Sequence, residues 1–201
     1  MKKKSMHKMQ NETKNTVSGV VNDITNDTSV CSEDKLNQKE QLKVGDASSY
    51  DVSNFNLTDV DIDSLIHMYQ DEKLAMDVYD TLAQEYGSYI FDRISDSESK
   101  HLSVVENVLV SNGIDIEDLK NLNAGEFLDE NLQALYDSIM EVGLASYEDA
   151  LNVGVKIEKF DIDDLQELEA NVELNTTLVG IYTNLESASY NHLDAFEQAS
   201  Y

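Results

Sequence analysis

Glu98-Ser-Lys-His101 sets a carboxylate and an imidazole three residues apart, so that on a helix both side chains reach the same side of the rod. A carboxylate oxygen paired with an imidazole nitrogen is a ligand set for a hard or borderline divalent metal ion. Further residues of the same chemical type occupy positions where an apolar side chain is expected. At about 100° per residue, the stripe through Leu65, Met68, Ala75 and Tyr79 also passes through Glu72. The stripe through Phe91, Ile94, Val105 and Val108 passes through Glu98 and His101. Glu158 and Asp161 are flanked by Leu151, Gly154 and Leu165, and His192 shares its side with Leu178, Leu185, Phe196 and Ala199.

Each of four helical segments thus directs at least one potential ligand inward near its middle. One inward glutamate or histidine is ordinarily a half-buried group with a satisfied hydrogen bond. Several carboxylates in one apolar interior are different, because they repel and lose hydration at several kcal/mol per ion unless they protonate or meet cations. The local lysines do not supply those cations: Lys73 projects about 100° away from Glu72, and Lys156 and Lys159 are displaced from the Glu158 face. Two divalent ions would balance the four charges of Glu72, Glu98, Glu158 and Asp161. Oxygen-rich donors with two imidazoles and no sulfur suit iron first, with manganese or zinc as alternatives. Tyr79, seven residues beyond Glu72 on the same face, either bonds a ligand or passes an electron, or is a core tyrosine with a satisfied hydroxyl.

The elements that must position these residues read as helices throughout, and the absence of proline leaves nothing that forces a break. The periodicity predicts a first helix over 61–86 stopped by Gly87, and a second over 89–112 stopped by Gly113. The loop between them is so short that they pack antiparallel. A stretch of about thirty residues, 114–143, carries an acidic turn and one modest helix over 129–142. It is long enough to run the length of a bundle. A third long helix opens at Ser146, with Asp149 three positions on as a capping pair, and continues to 172. A fourth covers 176–199. The expected fold class is all-α, a four-helix bundle of two hairpins joined by a long crossover that carries a short extra helix.

Residues 1–58 are polar and aperiodic, which predicts a disordered tail ahead of a bundle domain at 59–201. Of the 201 residues, 40 are acidic and 14 basic, a formal charge of -26. The tail holds eight of each sign, so the whole imbalance falls on the folded part, with six bases and 32 acids. Such a surface repels nucleic acid and anionic membranes. It either attracts metal cations or serves only as a solubilising exterior. One cysteine, Cys31, excludes an internal disulfide, a cysteine-based zinc site and a thiol redox pair. MKKKSMHK is basic, but no apolar run follows it, so neither a signal peptide nor a membrane span is expected and a cytoplasmic setting is the default. His67, about 140° from Glu72, is expected at the surface, and His7 lies in the tail.

Taken together, Glu72-Lys-Leu-Ala-Met-Asp-Val-Tyr79, Glu98-Ser-Lys-His101 and Gly154-Val-Lys-Ile-Glu158 resemble the ferritin-like superfamily, and within it rubrerythrin-type domains. More narrowly, DEKLAMDVYDTLAQEYG, IFDRISDSESKHL, GEFLDENLQALYD, SYEDALNVGVKIEKFDIDDLQ and SASYNHLDAF look like a microbial ferritin-like family of unknown function, over nearly all of 61–198. The resemblance implies a ferritin-like bundle with two irons between paired glutamates and paired Glu-x-x-His elements, reacting with peroxide or dioxygen. It also makes a homodimer through the first two helices an option. One position departs from that pattern: three residues before His192 stands Ser189, and the nearest acid, Glu186, is about 120° off the His192 direction. Either Asp161 supplies the missing carboxylate or the second ion is held more weakly, with more water. Non-catalytic metal binding or sequestration, and a structural bundle with protonated interior acids, are the alternatives to redox chemistry.

Overall fold

The computed structural model describes residue 52 and residues 55–171 and 176–200, so nearly all of the expected 1–58 tail lies outside the described residues. All regular structure among them is helical: α1 (Asp59–Tyr86), α2 (Tyr89–Ser111), α3 (Glu117–Lys120), α4 (Glu130–Gly143), α5 (Tyr147–Asn171) and α6 (Thr176–Ala199). α1 begins two residues before the expected 61 because Thr58 closes a capping box. Its hydroxyl accepts from the Asp61 amide at 3.2 Å, and its own amide donates to Asp61 Oδ2 at 2.7 Å. α1 ends where Gly87 takes a left-handed φ of 59°, a conformation that costs glycine least. α2 stops at Ser111, one residue earlier than read from the sequence. In the crossover Asp129 is the cap of α4 rather than its first residue, accepting from the Asn131 amide at 2.7 Å. At the start of α5 the Ser146 hydroxyl accepts from the Asp149 amide at 3.0 Å and donates to the Asp149 carboxylate at 2.6 Å. The expected end of that helix at 172 lies outside the described residues.

α1 packs mainly on α2, and α5 mainly on α6. The buried apolar side chains fall into two clusters, and each of the four long helices contributes to both. One unites Leu74–Leu82 of α1 with Phe91 and Ile94 near the start of α2, Ala150–Ile157 of α5 and Phe196 near the end of α6. The other unites Leu65–Tyr69 with Val104–Leu109, Leu165 and Leu178–Leu185. The start of α1 therefore lies with the ends of α2 and α5 and the start of α6, which makes each pair antiparallel. The crossover begins at the second cluster with Ile116 and Leu119 and reaches the first with Phe127, Leu132, Leu135 and Ile139, so it spans the length of the helical bundle. Between the two apolar clusters every long helix carries polar residues: Glu72, then Glu98 and His101, then Glu158 and Asp161, then Ser189 and His192, all buried.

Lys73 is buried too, but turned away from that layer. Its ammonium pairs with Asp77, donates to the Asn123 carbonyl at 3.0 Å and lies 4.7 Å from the centre of the Phe127 ring. Asp77 Oδ2 also accepts from the Gly125 amide at 2.8 Å, so the pair ties the crossover to α1.

Candidate metal centre

The polar layer is assembled from helix positions one turn apart. Glu98 and His101, at i and i+3 on α2, meet Glu72 of α1 on one side; Glu158 of α5 and His192 of α6 meet Glu98 on the other. Glu98 is the shared member, and its two oxygens divide between the groups. Oε2 lies 2.6 Å from His101 Nδ1, which is 3.3 Å from Glu72 Oε2. Oε1 lies 2.9 Å from His192 Nδ1, which is 3.5 Å from Glu158 Oε2. All five residues are 1–2 % exposed, and the two imidazoles stack with centroids 5.6 Å apart.

These contacts are close in distance but not in direction. Neither ring nitrogen of His101 or of His192 has a hydrogen-bond partner, and Glu72 Oε1 is likewise unpartnered. Buried polar atoms are nearly always satisfied, so five orphans in one dry layer call for something that serves them all. Two trios of oxygen and imidazole donors, each with its ligand atoms within 4.8 Å of one another, have the composition and spacing that hold a metal ion.

The electrostatics express the same crowding. Burial, joined by the Glu98 charge, pushes Glu72 and Glu158 above the usual carboxylate range, although His101 and His192 respectively pull them back. Glu98 is also pushed up by burial, but His192 and His101 together outweigh that and leave it below the ordinary value. Burial lowers both histidines, and the facing glutamates more than reverse it, so each imidazole is held above its ordinary value. Without cations the layer therefore retains protons, which a bound metal would displace.

Asp161, expected among the ligands, is buried beside this set without converging on either trio. Its Oδ2 accepts from the Ser189 hydroxyl at 2.6 Å. Burial raises it well above the usual range, with Glu72, Glu98 and Glu158 adding to the effect. Ser189, three positions before His192, thus touches a buried carboxylate of the neighbouring helix that neither trio uses. Tyr79 donates to Glu158 Oε1 at 2.7 Å, and its ring packs at 5.2 Å from Phe196 and 6.2 Å from Phe91. Gly154 leaves room for this arrangement, since a Cβ there would come within 2.8 Å of the Phe196 ring.

His67 differs from its sequence reading. Rather than facing solvent, it is partly buried, with Nε2 3.0 Å from Asp164 of α5 and 3.3 Å from Asp71 of α1. The sequence signal was a histidine and an aspartate at i and i+4, which share a helix face. Their partner on α5 could not be read from the chain.

Residues 61–200 match the family described as "Uncharacterized protein domain (DUF2202)". The chain is 38% identical over 134 residues to "Uncharacterized protein MJ0754" of Methanocaldococcus jannaschii, covering 67% of this chain and 71% of the relative. The crystal structure of hypothetical protein MJ0754 from Methanococcus jannaschii is similar at a TM-score of 0.68 and 33% identity, over 73% of this chain and 83% of the other. No helix among the described residues is long and apolar enough to cross a membrane.

Proposed function

This chain belongs to the DUF2202 family, and for this member we propose a ferritin-like four-helix bundle at 59–201 whose interior binds a pair of iron ions and reacts them with peroxide or dioxygen. The observation that supports it is the sharing of Glu98, one oxygen to each trio, among imidazole nitrogens that have no hydrogen bond of their own. A Glu from each of two helices with Glu-x-x-His elements from the other two is the ligand arrangement of di-iron carboxylate bundles. Here Glu72 and Glu158 are the single glutamates, Glu98 and His101 form one such element, and His192 is what remains of the second.

Glu72, Glu98 and His101 would hold one ion, and Glu98, Glu158 and His192 the other. Asp161, kept next to the second trio by Ser189, is the carboxylate closest in role to the absent glutamate. The ferrous pair, when bound, supplies two electrons, which with two protons reduce one peroxide to two waters. Tyr79 fixes the orientation of Glu158 through its hydroxyl and, with Phe91 and Phe196, closes that side of the layer with aromatic carbon. The adjoining apolar clusters exclude bulk water, which strengthens each charge–charge contact inside.

Anaerobic ferrous titration of metal-depleted protein tests the binding, and addition of one equivalent of peroxide tests the chemistry. Two ferrous ions bound per chain and oxidised together, faster than free ferrous ion, is the expected result. A chain that binds none removes the whole reading, and one that binds two but leaves peroxide unreduced removes the redox part.

A further inference from the structure

Outside the buried pair, His67, Asp71 and Asp164 bring three ligand atoms together where α1 meets α5. His67 and Asp71 are one helical turn apart on α1, and Asp164 reaches across from α5. Both carboxylates approach the same atom, His67 Nε2, at 3.3 Å and 3.0 Å. One ring nitrogen carries at most one hydrogen, so it serves one acceptor in line and leaves the other without a partner. That is what happens: His67 Nε2 makes its hydrogen bond with Asp164, while Asp71 Oδ2 is buried with no hydrogen-bond partner. The Asp71 side chain is only 5% exposed, so water does not readily meet that need. An orphaned carboxylate oxygen destabilises the fold, more so when charged, unless something meets it.

The geometry points to a third, mononuclear cation site at His67, Asp71 and Asp164, taking one divalent first-row ion of the zinc type. A dication between two aspartates and a neutral imidazole is charge-balanced and gives each of the three ligand atoms a partner, as a shared proton does not. One nitrogen and two oxygens suit zinc, which commonly takes three protein ligands and completes its shell with water, ahead of ferrous iron, which such a site holds too weakly to count in a ferrous titration. The side chain of His67 is 23% exposed and that of Asp164 11%, which leaves an open flank for such waters. The buried trios share no residue with this one, so it stands whether or not the central pair is a metal site.

Zinc titration of the metal-depleted full chain, wild type against Asp164→Asn, tests it, with cobalt absorption reporting imidazole–oxygen ligation. Three equivalents in wild type and two in the variant is the expected result. A single wild-type equivalent removed by Asp164→Asn would uphold the outer site and sink the buried pair. Two equivalents unaffected by the substitution would do the reverse and overturn the inference. Asp164 is itself buried, and should its variant fail to fold, the more exposed His67→Gln reads the same stoichiometry.

Discussion

Replacing Glu98 with glutamine separates a shared ligand from an ordinary buried acid, since it keeps the shape and removes the charge. Glu98 is 2% exposed, and its oxygens stand 2.6 Å and 2.9 Å from two imidazoles that its charge helps to keep protonated. In the metal-free protein, breaking a buried pair by removing one partner costs about 3–5 kcal/mol. For a domain of this size each kcal/mol moves Tm by roughly 3–4 °C, so Tm falls by about 10–20 °C. The metal-loaded comparison is sharper. Glu98→Gln removes a carboxylate from both trios, so both ferrous equivalents are lost. Glu72→Gln strips only one trio and leaves one equivalent. Anaerobic titration calorimetry on the two variants beside wild type, with melts of chelated protein, supplies both readouts. Equal stoichiometry in the two variants, or two ions still bound by Glu98→Gln, would refute the shared-oxygen arrangement.

Tyr79→Phe keeps the packing on Phe91 and Phe196 and removes only the hydrogen bond to Glu158, so chemical denaturation should show a loss of about 1.5–3 kcal/mol, with two metal equivalents retained. Gly154→Ala drives a methyl into the Phe196 ring and should cost about 1–3 kcal/mol by overpacking, measurable as a lower urea midpoint at unchanged m. Tyr182 is fully buried, its hydroxyl has no hydrogen-bond partner, and burial, with the Asp61 charge adding, raises it well above the ordinary tyrosine value. A raised folded value means that its stability contribution is complete below the unfolded value of about 10 and is lost as pH rises beyond it. Tyr182→Phe should therefore melt at or above wild type at pH 7 and lose less stability between pH 9 and 11. A steeper alkaline loss in the variant would contradict the sign.

The helices and the inward acids and histidines were legible because both depend on one helix at a time. Gly87 marks an end by its own conformational freedom, and Glu72, Glu98, His101, Glu158 and His192 stand out against the apolar stripe of their own segment. His67 was misread for the complementary reason. Periodicity gives a direction relative to the local stripe, and a residue opposite that stripe counts as solvent-facing only when one side of the helix is covered. From Met68 to Ala75 every residue of α1 is buried, because the crossover and α5 as well as α2 lie against it. Lys73 shows the same limit. Its direction away from Glu72 was readable, but its burial over Phe127 was not, because residues 54 positions apart meet there. The fate of Asp161 depended on the Ser189 hydroxyl, a contact between helices that no single-helix pattern encodes.

Glu72, Glu98 and His101 all belong to the α1–α2 hairpin, whereas the second trio draws Glu158 and His192 from α5 and α6. On the proposed assignment the two ions are therefore unequal in what they fasten. The first is complete within a local supersecondary unit and can load before the halves of the chain have met. The second exists only once they have docked, and once seated it rivets one half to the other through Glu98. Withdrawing it should loosen the seam between the hairpins while leaving each intact, an asymmetry that amide exchange would register as selective deprotection along α5 and α6.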